Sequence, residues 1–292
     1  MLIIAHLDQP HRREEWPKLF AQARAAGFDG VEVVIGDGYA CAWSEPEEAY
    51  RTLAQEADRC GTPVRSVFLA DDPAVRIGIA DDAQRAQNLE RVRAGIERCR
   101  WLGAALLRWI PGAVGPTGDG QAPSYQDALN YTCFGIEALR ADFERCGVAA
   151  GLIPCYHRFL LSPPEFRELI DRLNSPRIDA ALDYAACAQV GEPADWIATL
   201  QHRLAAVSMR AAASFPTVGA GSLIVRGESG QERCDTGIQA PAETQAGSLC
   251  HNFCHGLLIQ ALRHIRFDGL WIHMGELCGP GELNALRQAM AP

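Results

Sequence analysis

Eight short apolar runs, each followed by a stretch of helical periodicity, constrain this chain more than any other feature. Strands are expected near Leu2–Ala5, Val31–Ile35, Val64–Leu69, Ala105–Ile110, Val148–Ile153, Ile178–Leu182, Leu204–Met209 and Leu270–His273. Strand and helix alternating from end to end is the pattern of parallel βα units. Eight such units point to closure into a parallel (β/α)8 barrel. A chain of 292 residues suits one barrel of ~250 residues with added loops. No linker or change of composition divides it, so residues 1–292 are read as a single barrel domain.

The helices carry their own signals. Trp16, Leu19, Phe20 and Ala23 share one face at spacings of three and four, as do Leu89, Val92, Ile96 and Cys99. Ser44-Glu-Pro-Glu47 has the form of a capping box, with Gly61 at the expected C-terminal cap, and Ser162-Pro-Pro-Glu165 repeats the start signal. Gly27-Phe-Asp-Gly30 and Arg266-Phe-Asp-Gly269 are near-copies of one turn leading into strands 2 and 8. A helix end reversing into a strand needs positive φ, which favours glycine. Residues 211–244 form a long segment rich in Gly, Ser and Thr after strand 7, expected to be a lid over the C-terminal mouth.

Composition narrows the partners. The net charge is −9 and no basic face recurs, so nucleic acid, whose binding rests on phosphate neutralisation, is not expected. No apolar run approaches the ~20 residues of a membrane span, and the N-terminus lacks the basic flank of a signal peptide. Eleven scattered cysteines, odd in number, read as reduced thiols in a cytoplasmic protein. A small-molecule substrate is the expected partner, with a homo-oligomer left open.

The turns also carry a resemblance. Ala26-Gly-Phe-Asp-Gly-Val-Glu32, Trp101-Leu-Gly-Ala104, Cys146-Gly-Val148 and Phe267-Asp-Gly-Leu-Trp271, in this order, resemble the sugar phosphate isomerase/epimerase group of xylose-isomerase-like TIM barrels. That resemblance implies a divalent metal held by a Glu, an Asp, a His and a Glu ending strands 5 to 8, the two glutamates also moving protons. This chain departs from the pattern. Cys155 stands where the first Glu belongs, in Cys155-Tyr156-His157, although His157 matches. Asp183 is kept, but Ala186 replaces the histidine three residues later. Ser208-Met-Arg210-Ala211 replaces a His-x-Lys-Asp phrase, and His273 or Met274 takes the place of the last Glu, with Glu276 just beyond.

These departures bear on the chemistry. Hard oxygen ligands suit Mg²⁺ or Mn²⁺, so the usual centre is expected to be absent or much weakened. Cys155, Asp183 and His273 would instead form a softer set for Zn²⁺ or Fe²⁺; the cofactor is thus none, or a divalent Zn, Fe or Mn. His157, Asp183, Arg210 and His273 are the catalytic candidates. Arg210 would hold a substrate anion, and a histidine would carry a proton near neutral pH. His6, Glu32, Trp109 and Glu276 are candidates for lining the mouth and binding substrate. Each has a plainer reading: a loop hydrogen bond for His157, a helix cap for Asp183, packing for Cys155 and His273, a surface ion pair for Arg210. Cys250, His251, Cys254 and His255 read as the packing face of an outer helix.

The resemblance implies an isomerase or epimerase of a small sugar-like or hydroxycarbonyl compound. The alternatives are a catalytically altered or inactive barrel that binds a small molecule, or a metal-free, lyase-like enzyme. Abasic-site endonuclease chemistry, found in the same superfamily, is disfavoured by the acidic charge and the missing histidines.

Overall fold

The structure is a computed structural model that describes residues 1–7, 13–39, 41–114, 123–210, 258–274 and 280–291. Eight parallel strands close into a barrel in chain order: β1 (Leu2–Leu7), β2 (Gly30–Ile35), β3 (Val64–Leu69), β4 (Leu106–Trp109), β5 (Ala149–Leu152), β6 (Ile178–Asp183), β7 (Leu204–Arg210) and β8 (Leu270–Met274). Helices α1 (Trp16–Ala26), α2 (Glu47–Arg59), α3 (Asp82–Leu102), α4 (Tyr125–Cys146) and α5 (Pro163–Leu173) follow the first five strands. Two short helices, α6 (Tyr184–Val190) and α7 (Pro193–Leu200), follow β6. Residues 258–264 (α8) precede β8, and α9 (Pro280–Met290) ends the chain. The expected lid at 211–244 and the Cys250–His255 cluster lie outside the described residues.

Most of the core lies between strands and helices, where Phe20, Phe28, Phe143, Phe166 and Trp196 are fully buried. A smaller cluster fills the barrel itself: Ile4, Leu106, Ile110, Ile153, Ala181, Ala206 and Ile272. The two sets come from alternate positions of the strands, as the period of two requires. Among the described residues, no helix is long and apolar enough to cross a membrane.

The repeated turn has a different basis in its two glycines. Gly27 has φ 98°, but Arg266 takes the same role at φ 54°, so positive φ does not demand glycine in both copies. The second glycine serves close approach. A Cβ on Gly30 would lie 2.6 Å from the Pro63 carbonyl oxygen, and one on Gly269 would lie 2.2 Å from that of Ala205. Asp29, directly before Gly30, accepts from the Ile3 amide at 2.9 Å and from Arg287 of α9 at 2.9 Å, which ties α9 to the bottom of the barrel. The expected capping box at Ser44 does not form: α2 starts at Glu47, Pro46 is its N-cap, and no side chain caps it. Ser162 is the N-cap of α5 without a side-chain bond.

Candidate functional site

The inward positions of the strands converge, at their C-terminal ends, on a cavity of about 440 Å³. Its wall includes His6 of β1, Arg108 of β4, Asp183 of β6 and Met274 of β8, with Asp71 and Tyr156 from the loops after β3 and β5.

Beneath the wall on the β1–β4 side runs a buried polar network. Glu32 of β2 is fully buried, Arg108 is 2% exposed and His6 is 4% exposed. Glu32 Oε1 lies 2.6 Å from His6 Nδ1 and accepts from Arg108 Nη1 at 2.7 Å. Its Oε2 accepts from Ser66 Oγ of β3 at 2.6 Å and from the same Nη1 at 3.0 Å. Arg108 Nη2 donates to Ser208 Oγ of β7 at 2.9 Å, and Ser208 donates to the Leu182 carbonyl at 3.2 Å. Burial alone would push the Glu32 carboxyl up. The Arg108 charge and the bonds from His6 and Ser66 outweigh it and hold the pKa down at about 2. A nitrogen facing an ionised carboxylate carries a proton, so His6 donates through Nδ1 and Nε2 is its other edge. Gly151 of β5 leaves room for the arginine: a Cβ there would be 3.1 Å from Arg108 Cγ.

Among the described residues, the β5–β8 side holds less charge. Asp183, 6% exposed, ends β6 and caps α6, its Oδ1 accepting from the Ala186 amide at 3.1 Å. Its Oδ2 accepts from the Tyr156 hydroxyl at 3.1 Å. Cys155 turns its sulfur towards α6, where it lies 4.0 Å from Cys187 Sγ. Between the two sides stands a rim cluster. His157 Nε2 donates to Asp71 Oδ2 at 2.8 Å, and Arg76 Nη2 donates to Asp71 Oδ1 at 2.8 Å while lying 3.0 Å from the same imidazole nitrogen. Partial burial would raise the Asp71 carboxyl, but the bonds from His157 and Arg76 hold it below its usual value.

Of the residues singled out in the sequence, His6 and Asp183 lie on the cavity wall, Glu32 lies behind it and His157 sits at the rim. Two face away. His273 packs its ring 5.7 Å from Phe28, in the layer between strands and helices, and Met274 takes the inward position. Trp109 is fully buried and stacks 6.0 Å from Phe143 of α4, leaving the mouth to its neighbour Arg108. Both corrections have one cause: a shift of one residue in a strand exchanges its two faces. Cys155, Asp183 and His273 therefore do not come together, and among the described residues no three His, Cys, Asp or Glu side chains form a metal-binding group. Arg210 pairs with Met274 in the β7–β8 register; its side chain and Glu276 lie outside what the structure describes. The reading of the sequence missed Arg108, Ser66, Asp71 and Tyr156. For Arg108 a signal existed, a lone charge inside Ala105-Leu-Leu-Arg-Trp-Ile110.

A family model described as xylose isomerase-like TIM barrel matches residues 20–274. Among solved structures, a D-psicose 3-epimerase from Clostridium cellulolyticum H10, crystallised with D-tagatose, aligns at TM-score 0.72 and 11% identity over 100% of both chains. An L-ribulose 3-epimerase aligns at TM-score 0.68 and 17% identity, over 98% of this chain and 86% of the other. A 3-keto-D-glucoside 4-epimerase from E. coli aligns at 0.64 and 16%, over 99% and 97%. At these identities the likeness is one of fold. No curated protein matches the chain.

Proposed function

The chain belongs to the xylose isomerase-like TIM barrels, and from that premise we propose an isomerase or epimerase of a small sugar-like or hydroxycarbonyl compound, acting at the C-terminal mouth. The observation that carries the reading is His6 on the cavity wall, its Nδ1 held by an ionised, buried Glu32. Both reactions begin by taking a proton from a carbon next to a carbonyl. His6 Nε2 accepts that proton, the C–H pair forms the enediolate double bond, and the carbonyl pair moves onto oxygen. Arg108, also on the wall, is the cationic donor at hand for that oxygen. Returning the proton to the opposite face of the same carbon inverts it; returning it to the neighbouring carbon moves the carbonyl. Asp183 with the Tyr156 hydroxyl is the second proton-carrying pair.

The divalent metal implied by the family does not fit the described residues. The inward position of β8 is a thioether, Met274, and the Cys155 sulfur faces α6. Both oxygens of Asp183 already accept hydrogen bonds. Hard cations need several oxygen ligands in place of water. A second reading, a barrel that binds its small molecule without turning it over, is favoured by the same engagement of Asp183. A metal-free lyase would use the same His6 base, with a leaving group on the adjacent carbon.

The test is proton exchange. The full chain, incubated in D2O with a panel of free ketoses, aldoses and small hydroxyketones, is followed by NMR. The proposal expects deuterium to enter one carbon beside a carbonyl, with an epimer or isomer accumulating. Saturable binding without exchange for any compound on the panel supports the binder instead.

A further inference from the structure

Cys155 and Cys187 occupy a place that the proposed chemistry does not use. Cys155 is half-buried in the loop after β5, and Cys187 is fully buried in α6. Their sulfurs, 4.0 Å apart, are about 2 Å from disulfide bonding distance, a gap that small side-chain and loop adjustments span. The chain around Cys155 already holds an unusual backbone: Cys155, His157, Arg158 and Leu160 all have φ between 52° and 71°. Non-glycine residues hold such angles only where the surroundings impose them.

The pair also sits against the site. Tyr156, next to Cys155, donates to Asp183 Oδ2. The amide of Ala186, next to Cys187, donates to Asp183 Oδ1. A bond between the two sulfurs would tie the loop carrying Tyr156 to the helix that Asp183 caps, across both hydrogen bonds of that carboxylate.

We propose that Cys155 and Cys187 form a reversible dithiol–disulfide site, oxidised by a hydroperoxide, that fixes Tyr156 and Asp183 relative to each other. Cys155, the accessible partner, attacks first. Its sulfur bonds to the distal peroxide oxygen, the O–O bond breaks, and a sulfenic acid and one water (or alcohol) are left. The Cys187 sulfur then bonds to the sulfenic sulfur, the S–O bond breaks, and the oxygen leaves as a second water with the remaining thiol proton. Two thiols are oxidised by two electrons, and one peroxide is reduced. A small thiol reverses the change by exchange. The inference goes beyond the proposed isomerase and does not depend on it.

The purified full chain is treated with stoichiometric hydrogen peroxide, its remaining thiols are alkylated, and its peptides are mapped by mass spectrometry. The expected product is a Cys155–Cys187 crosslink, lighter by two hydrogens and restored by dithiothreitol. Fragment ions distinguish Cys155 from Cys146, which shares its tryptic peptide. In Cys187→Ala the expectation is a Cys155 sulfenic acid trapped by dimedone. Amide exchange of the peptide spanning Tyr184–Val190 should slow about tenfold or more in the oxidised chain, since helix and loop are then tied. The proposal is overturned if Cys155 goes on to sulfinic acid while Cys187 is still alkylated, if other thiols oxidise while both of these stay reduced, or if the crosslink forms and exchange does not slow.

Discussion

The mouth has two unlike halves. From β1 to β4 it is backed by a closed charge network in which Glu32 answers Arg108, His6 and Ser66. From β5 to β8 the described residues offer it one carboxylate, Asp183, with the Tyr156 hydroxyl and the Met274 thioether. The family resemblance places its metal ligands in the second half. Among the described residues, the charged groups at the mouth are concentrated in the first, with Arg108 reaching across to Ser208. The difference teaches that a mouth whose described residues form no metal-binding group need not be featureless. A buried network can be organised on other strands of the same barrel, because every inward strand end reaches the same mouth.

The largest effect that could break this comparison is on Glu32. Glu32→Gln keeps the shape but leaves the buried Arg108 without its countercharge, and should cost about 3–5 kcal/mol in urea unfolding at pH 7. A loss below about 1 kcal/mol would mean that Arg108 is balanced elsewhere. The same carboxyl sets an acid limb. Its pKa falls from 4.5 to about 2 on folding, so its contribution is present above pH 4.5 and is lost as pH falls towards 2. That contribution is on the order of 3 kcal/mol, and the corresponding slope should vanish in Glu32→Gln.

Smaller effects sharpen the other half. Asp183→Ala removes the cap of α6 and should cost about 1 kcal/mol, well short of the Glu32 variant; an equal or larger loss would place the main charge balance in β5–β8. Asp71→Asn acts at the rim, where Asp71 and His157 are each about a third exposed. It should cost less than about 1 kcal/mol. Because Asp71 is held below its usual value, that small contribution is present above pH 3.8 and disappears on further acidification. Thermal melts at pH 7 and pH 3 check the sign.

How much of this was legible in the sequence depends on what each feature rests on. The barrel was, because eight alternations of strand and helix are a long-range pattern that local errors do not erase. The place of Asp183 and His6 on the cavity wall was, because they stand at or next to the ends of strands whose apolar runs mark where the mouth must be. Trp109 and His273 were misplaced because strand ends are readable only to a residue or so, while inside and outside alternate at every residue. The network was invisible as a whole. Glu32, Ser66 and Arg108 are separated by 34 and 42 positions and meet only through the β2–β3–β4 register. Asp71 and His157 meet across two loops 86 positions apart, and no local motif records such a contact.

The central claim, that proton transfer is driven from the β1 side and not by a metal on the β5–β8 side, is tested most directly by the deuterium wash-in rate on a compound that exchanges. Wild type and His6→Gln are compared with and without excess chelator. The account predicts a rate unchanged within about twofold by chelation and at least ~100-fold lower in His6→Gln, the usual scale of a general base. Exchange that survives in His6→Gln but is abolished by the chelator and restored by Mn²⁺ would contradict it.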